Sequence, residues 1–331
     1  MRLALLLALA MTTNVTFAQN APRSTPSGPD FLKALAFAQH FAKPAALTPE
    51  NDRQLKATIL KALQEKPPVI SFAEVKDIFD EKEFAEWNAK DQLTIARMDV
   101  LLTEALPKSR GKIFPALVDH TDLLTTQFDM IDEPHQRAAN EFAGWIAKNY
   151  SAKEERGVSV ICTGNSRRSV MGATMGNVAA AYWGLSNLKF YSAGTTPTAL
   201  NARTIETLKK VGIEVANTTE EAPRGKGGEA NLIYQVSWGT FPAVKEYSKR
   251  YTDSPLPEKD FAAILVCDEA DEACPTVKGA SIRISAPYFD PKAYDNSLLE
   301  SAKYAERRDD IGRMMLSALM QARRQLQLPK K

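Results

Sequence analysis

The stretch that decides the fold runs from residue 158 to residue 169 and reads Val158-Ser159-Val160-Ile161-Cys162-Thr163-Gly164-Asn165-Ser166-Arg167-Arg168-Ser169. Its first part is rich in β-branched residues, which is typical of a buried strand. Its middle carries a Gly-Asn pair, which is typical of a turn. From Arg168 onward the apolar residues recur at helical spacing. The stretch therefore predicts a strand that ends on Cys162, a tight loop, and a helix.

The alternation of strand and helix continues on the C-terminal side of this stretch. Further strands are predicted at residues 188–192, 261–267 and 281–285, and further helices at residues 200–211 and 298–327. Such alternation favours a parallel sheet with helices on both faces, so the predicted fold is a three-layer α/β fold with a small parallel four-stranded sheet. Residues 216–260 interrupt the order, and we expect them to form an insertion with a short extra strand around residues 232–236.

The N-terminal side of the stretch has a different pattern. Between residues 31 and 114 the signals are helical, including a capping box at Ser71 and Glu74 and an apolar repeat over residues 95–106. This region has no Gly-rich loop and no cluster of His, Cys and carboxylate residues. We therefore expect an all-helical region over residues 31–114 that precedes the α/β domain.

The first residues have the features of a secretory signal. Arg2 gives a positive start, a short apolar run follows, and small residues offer a cleavage site after Ala18. The run is too short to cross a bilayer, and residues 19–30 are a polar, Pro-rich linker. We expect residues 1–18 to be a cleaved signal peptide and the mature protein to be periplasmic or secreted, without a stable membrane span.

The composition indicates no nucleic-acid partner. The chain has 42 Lys and Arg against 40 Asp and Glu, a formal net charge of +2, whereas nucleic-acid-binding domains are usually strongly basic. The histidines His40, His120 and His135 are scattered and show no metal-ligand spacing. We therefore expect neither nucleic acid nor a metal ion or other cofactor.

The spacing of Cys162 and Arg168 has a chemical consequence. A tight loop that enters a helix points successive backbone N–H groups inward, and the helix N-terminus adds a positive partial charge. Such a nest binds a tetrahedral oxyanion and favours the thiolate form of a cysteine, which is the attacking species. The planar fork of Arg168 can bind two oxygens of the same anion. The sequence therefore predicts an oxyanion-binding loop with a nucleophilic cysteine.

The other loop residues suit this chemistry. Gly164 lets the backbone approach an anion, Asn165 tolerates unusual dihedral angles, and Ser169 can donate a hydrogen bond to a thiolate. The predicted oxyanion-binding loop consists of Thr163, Gly164, Asn165, Ser166, Arg167, Arg168 and Ser169. The alternative is a buried cysteine at the end of a strand with arginines on the nearby surface.

These residues resemble a known active-site loop. The run from Val160 to Ser169 is similar to the loop of the low-molecular-weight protein tyrosine phosphatases and of their relatives, the thioredoxin-coupled arsenate reductases. Ser192-Ala193-Gly194 resembles the turn after the family's second strand, and Asp290-Pro291 resembles its general-acid loop. The chain departs from the family at Arg167, where a second cysteine is common, and at Val170, where proline is usual.

The resemblance covers residues 115–327, and what it implies is specific. It implies the low-molecular-weight phosphatase-like fold, with residues 115–331 as the catalytic domain and residues 216–260 as its insertion. It also implies that Cys162 is the nucleophile, that Arg168 binds the oxyanion and that Asp290 is the general acid. An acid is chemically appropriate there because the leaving oxygen needs a proton. Taken alone, Asp-Pro would be read as a turn.

The two remaining cysteines, Cys267 and Cys274, are seven residues apart and enclose an acidic run. On an intact helix this spacing separates the Cα atoms by ~10 Å, beyond the ~7 Å limit for a disulfide. The pair can therefore bond only if the segment is a loop or unwinds. The acidic run tends to raise the pKa of both thiols, so we expect local shielding or a helix terminus to offset it.

Arsenate reductases of this class are similar to the chain at these two cysteines. The resemblance implies a thiol cascade in which Cys162 attacks arsenate with help from Asp290, Cys267 attacks the Cys162–arsenic adduct, and Cys274 then attacks Cys267. An external dithiol, such as a thioredoxin-like protein, would reduce the final disulfide. Thiol-coupled reduction of arsenate is therefore the first hypothesis.

Two alternatives remain open. The same residues could form a phosphatase acting on a phosphate ester, with a structural disulfide between Cys267 and Cys274, which an oxidising compartment favours. They could also form a catalytically silent module that only binds a small oxyanion. Assays with p-nitrophenyl phosphate and with arsenate plus thioredoxin separate these functions, and anion binding without turnover would leave only the binding module.

Overall fold

The computed structural model describes residues 49–62, 72–76, 81–82, 107–253, 255–273 and 276–327. The predicted leader and linker, Ser71 of the capping box, the apolar repeat over residues 95–106, and Cys274 lie outside these ranges.

Helices precede the first strand. They are α1 (Pro49–Ala62), α2 (Phe72–Val75), α3 (Pro115–Thr125) and α4 (Glu133–Asn149), with short 3-10 helices at Arg110–Lys112 and Phe128–Met130. Leu55 and Ile59, one turn apart on α1, are fully buried. The prediction of a helical region before the sheet is confirmed in the part that the structure describes.

The rest of the chain alternates between strands and helices. In chain order the elements are β1 (Arg156–Cys162), α5 (Arg168–Trp183), β2 (Leu188–Gly194), α6 (Ala202–Lys209), β3 (Glu214–Ala222), β4 (Asn231–Ser237), β5 (Val244–Glu246), β6 (Phe261–Leu265), α7 (Asp268–Ala273), β7 (Ala280–Ser285), a 3-10 helix at Pro291–Tyr294, and α8 (Glu300–Gln327).

The central sheet is parallel and has four strands in the order β2-β1-β6-β7. β1 pairs with β2 along its whole length, so that Cys162 lies beside Gly194 at the carboxyl end. Every residue of β6 is buried, as expected for a strand covered on both faces. The predicted α/β fold with a four-stranded parallel sheet is confirmed.

Helix α5 is buried at every residue because it lies against the sheet and against α8. Its glycines make this packing close: a Cβ at Gly176 would come within 2.3 Å of the Phe190 ring on β2. The helix begins at Arg168, directly after the loop, and ends at Gly184, which has a left-handed φ of 75° and forms the C-cap. Among the described residues, no helix is both long enough and apolar enough to cross a bilayer.

A second, antiparallel sheet has the order β3-β4-β5. The extra strand expected around residues 232–236 is present as β4, and β3 and β5 flank it. The tip of the β3–β4 hairpin packs against the segment after β2, since a Cβ at Gly225 would lie 2.0 Å from the Pro197 carbonyl oxygen. The predicted insertion is therefore folded back onto the edge of the parallel sheet where Cys162 lies.

We predict opposite effects for two Gly→Ala substitutions. A Cβ at Gly194 would lie 2.6 Å from the Thr163 carbonyl oxygen and 2.8 Å from the Asn165 nitrogen, whereas a Cβ at Gly144, within α4, meets no atom within 4 Å. Gly144→Ala should raise the free energy of unfolding by roughly 0.5–1 kcal/mol, because alanine is the better helix former. Gly194→Ala should lower it by about 2 kcal/mol through overpacking. Urea unfolding measures both, and a neutral Gly194→Ala would contradict the close packing.

Candidate active site

A cavity of about 860 Å³ opens at the carboxyl end of β1, the edge at which parallel α/β sheets usually bind ligands. Its wall includes Cys162, Thr163, Gly164, Ser166, Arg167, Arg168, Glu269 and Asp290. The structure therefore brings the predicted Cys162, Arg168 and Asp290 together in one cavity. Cys267 lies behind the loop and is fully buried.

The carbonyl groups of the loop are turned away from the cavity toward the segment that follows β2. They accept hydrogen bonds in four pairs: Thr195 N to Cys162 O (3.1 Å), Thr196 N to Thr163 O (2.9 Å), Thr198 N to Gly164 O (3.0 Å) and Asn201 N to Ser166 O (3.2 Å). The N–H and C=O groups of a trans peptide point in opposite directions. The N–H groups of residues 163, 164, 165 and 167 therefore face the other way, as an oxyanion-binding nest requires.

Asn165 ties the loop together. It has a φ of 43°, a left-handed conformation that asparagine tolerates better than most residues. Its side-chain nitrogen donates to Ser169 Oγ (3.0 Å) and Ser192 Oγ (2.7 Å), and its oxygen accepts from the Lys249 N–H (2.8 Å). Because Ser169 accepts from Asn165, its own hydroxyl hydrogen can point at Cys162 Sγ, 3.1 Å away. The network therefore holds a hydroxyl group against the Cys162 sulfur.

Residues of the insertion also hold the oxyanion-binding loop in place. Ser192 Oγ donates to the Glu246 carboxylate, which also accepts from Lys249 Nζ (2.9 Å), and both charged residues are buried. Ser248 Oγ donates to the Gly164 carbonyl oxygen (2.9 Å). Sequence reasoning missed Glu246, Ser248 and Lys249, since a Glu and a Lys three residues apart usually form an exposed pair. The insertion is therefore part of the loop's scaffold.

Arg168 is buried, and its guanidinium donates two hydrogen bonds and also lies 3.7 Å from Glu269 Oε2. Nη1 donates to the Tyr288 carbonyl oxygen (2.7 Å) and Nη2 to Asp290 Oδ2 (2.8 Å). Its Nε is also buried, and the structure shows no partner for it among the described residues. A buried donor without a partner calls for an explanation. Arg168 also lines the cavity, so its guanidinium lies close to the place where an oxyanion would bind.

Asp290 has a structural role as well as a place in the cavity. Its Oδ1 accepts from the Lys292 N–H (2.9 Å) and caps the 3-10 helix Pro291–Tyr294. Its Oδ2 accepts from Arg168 Nη2. Asp290 therefore forms a turn, as the Asp-Pro pair alone would suggest, and also lines the cavity. Phe289, its neighbour, is 62% exposed at the rim.

The Arg167 side chain bonds to residues outside the loop. Its Nε donates to the Tyr304 hydroxyl (2.6 Å) and its Nη2 to Asp295 Oδ2 (3.1 Å). Burial raises the pKa of Tyr304 to about 12, so this hydroxyl stays protonated and donates in turn to Asp295 Oδ1 (2.8 Å). Arg167 therefore joins the loop to α8.

Cys267 is a second free thiol beside the loop. Its sulfur lies 3.5 Å from Thr163 Oγ1, and neither Cys267 nor Cys162 is in a disulfide. Burial raises the pKa of Cys267, and the neighbouring Cys162 charge adds to this, while the Thr163 hydroxyl and the Arg168 charge oppose it. The expected direction is correct for Cys267, but the expected cause is wrong: burial, rather than the acidic run, is the main reason.

The acidic run between the two distal cysteines is helical, and it forms α7. Asp271, within it, accepts from Arg283 Nη2 (2.6 Å), which neutralises part of its charge. The predicted partner Cys274 lies outside the described residues. In the described part of the chain, no group of three or more His, Cys, Asp and Glu residues is arranged to hold a metal ion.

A cysteine at the end of a parallel strand, followed by inward-facing amides and an arginine at the helix start, defines a cysteine-dependent enzyme that acts on an oxyanion. Residues 157–252 match the family model of the low molecular weight phosphotyrosine protein phosphatases. The matched segment contains the whole loop and the Ser192-Ala193-Gly194 turn. This part of the chain is therefore similar to the low molecular weight phosphotyrosine protein phosphatases.

Other comparisons are more distant. No curated protein matches the chain. Among solved structures, the thioredoxin-dependent arsenate reductase Cg_ArsC1' of Corynebacterium glutamicum is similar, with 14% identity over 70% of this chain and 89% of that chain and a TM-score of 0.29. A likeness at this level does not bear on the activity of the chain.

We predict that Asn165→Ala destabilises the protein more than Asn165→Gly does. Both substitutions leave the buried Lys249 N–H without its partner and remove the bond from Asn165 to Ser192 Oγ, which should cost about 2–3 kcal/mol. Alanine additionally strains the left-handed backbone by roughly 1 kcal/mol, which glycine avoids. The difference between the two variants in urea unfolding isolates the strain, and equal stability of the two would contradict a left-handed Asn165.

Proposed function

We propose that the protein is a thiol-coupled arsenate reductase that converts arsenate to arsenite. The observation that carries the proposal is the buried free thiol of Cys267, which contacts the loop through Thr163. Hydrolysis of a phosphate ester needs a single nucleophilic thiol. Reduction of arsenate needs two, because two electrons must come from a pair of sulfurs that becomes a disulfide.

In the first step of this mechanism, Cys162 attacks arsenic. The inward-facing amides and the Arg168 Nε–H bind the remaining oxygens, and Ser169 stabilises the thiolate before attack. Asp290, which lines the same cavity and contacts Arg168, supplies the proton with which one arsenate oxygen leaves as water. The product of this step is a covalent Cys162–arsenic(V) adduct.

In the second step, the Cys267 thiolate attacks the sulfur of Cys162. A sulfur–sulfur bond forms, the sulfur–arsenic bond breaks, and its electron pair goes to arsenic, which leaves as arsenite. The sum is one arsenate and two thiols giving one arsenite, one disulfide and one water. Because burial raises the pKa of Cys267, this thiol is mostly protonated at neutral pH and is protected from premature oxidation.

In the third step, Cys274 attacks Cys267 and an external dithiol, such as a thioredoxin-like protein, reduces the resulting disulfide. Helix α7 occupies the residues between the two cysteines. A seven-residue spacing across an intact helix is too long for a disulfide, so this step needs α7 to unwind.

We further propose that residues 1–18 direct export, in which case the dithiol belongs to the periplasm or the outside.

A phosphatase is the second candidate, and the size of the cavity favours it. The cavity measures about 860 Å³, whereas a water molecule occupies about 30 Å³ in the liquid, so a single tetrahedral ion would fill only a small part. The Phe289 ring is exposed, and its centroid lies 6.4 Å from that of the Tyr294 ring at an interplanar angle of 68°. It could contact the organic part of a phosphate ester.

We predict that Cys267→Ser separates the two functions. Arsenite release, with thioredoxin and its reductase supplying dithiol, should fall by at least ~100-fold, because serine cannot form a disulfide. Hydrolysis of p-nitrophenyl phosphate should change by less than about threefold, because Cys162 is retained. Cys162→Ser is the matched control and should abolish both reactions. Arsenite release by Cys267→Ser at the unmodified rate would exclude the reductase mechanism.

We also predict that the second step accelerates as pH rises. Only the thiolate attacks, and burial raises the pKa of Cys267, so the attacking fraction should grow about tenfold per pH unit below that pKa. A single turnover with arsenate, quenched in acid and analysed for the Cys162–Cys267 disulfide by mass spectrometry, measures this rate between about pH 6 and about pH 8. A rate that is flat over this range would show that the thiol step is not governed by Cys267.

A further inference from the structure

The direction of the Arg168 side chain depends on a short segment, residues 286–290. Both Nη atoms donate to it, one to the Tyr288 carbonyl oxygen (2.7 Å) and the other to Asp290 Oδ2 (2.8 Å). The unpartnered Nε is directed by the same two contacts, because the guanidinium is planar and rigid. Any residue that fixes this segment therefore fixes how Arg168 is presented to the cavity.

On its inner side the segment is held by the sheet. The Ala286 N–H donates to the Leu265 carbonyl oxygen (2.9 Å), and the Tyr288 N–H donates to the Val266 carbonyl oxygen (3.2 Å). These bonds hold the segment against the end of β6. They leave the Pro287 carbonyl group, which lies between them along the chain, pointing outward.

On its outer side the segment meets His135, which belongs to α4. The Nε2 atom lies 3.1 Å from the Pro287 carbonyl oxygen, and the imidazole ring stacks on the Tyr288 ring with centroids 3.9 Å apart and planes 16° apart. The Tyr288 hydroxyl is buried and, as far as the described residues extend, has no hydrogen-bond partner. The ring is therefore placed by stacking, with His135 in contact and the Arg307 guanidinium 5.5 Å from its centroid.

The partners of His135 determine which of its atoms donate. Its Nδ1 lies 2.6 Å from Asp132 Oδ1, and both this carboxylate and the Pro287 carbonyl group can only accept. The Nε2–H therefore donates to the Pro287 carbonyl oxygen. The charged groups around it are Asp132 at the start of α4 and Arg307, Asp310 and Arg313 on α8.

We propose that His135 is a positioning residue for the oxyanion site. Its Nε2–H holds the Pro287 carbonyl oxygen and so keeps residues 288–290 where they grip Arg168; the inference rests on the proposed function only in requiring that Arg168 binds an oxyanion. His135 lies before residue 157, where the family match begins. The family likeness therefore does not account for it.

Three substitutions separate its contacts. His135→Phe keeps a flat ring against Tyr288 and removes both ring nitrogens. His135→Gln carries an amide nitrogen near the position of Nε2 and can still donate to Pro287, whereas His135→Asn carries one near Nδ1 and can donate only toward Asp132. The full-length protein is used, and the probe is inorganic phosphate, with its Kd measured by calorimetry.

We expect His135→Phe to weaken phosphate binding roughly tenfold, the loss typical of one hydrogen bond. His135→Asn should weaken it as much, and His135→Gln should recover to within about threefold of the unmodified protein. For p-nitrophenyl phosphate, KM should follow the phosphate Kd across the series. Equal Kd values for the Gln and Asn variants, or an unchanged Kd for the Phe variant, would overturn the proposal.

His120→Phe is the matched control. His120 also pairs with a carboxylate, with Nε2 2.9 Å from Asp309 Oδ1, and its side chain is 15% exposed against 13% for His135. It lies on α3 and contacts neither the loop nor residues 286–290. The His120→Phe variant should lower Tm by about as much as His135→Phe does, and it should leave the phosphate Kd unchanged. A similar loss of phosphate binding in His120→Phe would mean that the effect is general destabilisation, which would overturn the proposal.

The outcome is distinguishable from failure of the proposed function. If the unmodified protein binds phosphate and the His135 series behaves as expected but no arsenite is released, the reductase mechanism fails and the positioning role stands. If arsenite is released and the series leaves Kd unchanged, the positioning role fails alone. If the unmodified protein binds no phosphate, Arg168 is not an oxyanion ligand and both fail.

Discussion

The site depends on one constraint: the peptide groups between Cys162 and Ser166 must turn their N–H groups toward the cavity and their carbonyl groups away from it. Buried carbonyl oxygens need donors. They receive them from the four N–H groups between Thr195 and Asn201 and from Ser248. The fold meets this constraint by laying the segment after β2 alongside the loop, which is possible because Gly194 carries no Cβ. The amide nest is therefore built as much by residues 194–201 and 248 as by the loop itself.

The sequence predicted those features whose signals are local. The strand ending on Cys162, the helix starting at Arg168 and the four-stranded parallel sheet each have a periodic or turn signature within a short window. Asp290 was predicted only from a family resemblance, and it lies in the same cavity as Arg168. Its role as proton donor remains a prediction, as do the roles of the other site residues.

The features that sequence reasoning missed are long-range contacts between ordinary residues. Asn165 and Lys249 are 84 residues apart, and His135 and Pro287 are 152 apart. No local pattern marks such pairs, because a histidine in a helix or a lysine three residues from a glutamate occurs in many surfaces. The cause of the raised Cys267 pKa was missed for the same reason. Charge can be counted in a sequence, whereas burial depends on how distant segments pack.

The smaller antiparallel sheet has a consequence for motion. Segments that share buried hydrogen bonds tend to open together as one cooperative unit. The residues after β5 bond directly to Asn165 and Gly164, so a fluctuation that frees β5 also frees the carbonyl and side-chain contacts under Cys162. Amide hydrogens in the loop should therefore exchange with solvent no more slowly than those of residues 244–249. The stability of this three-stranded sheet therefore limits how well ordered the loop around Cys162 is.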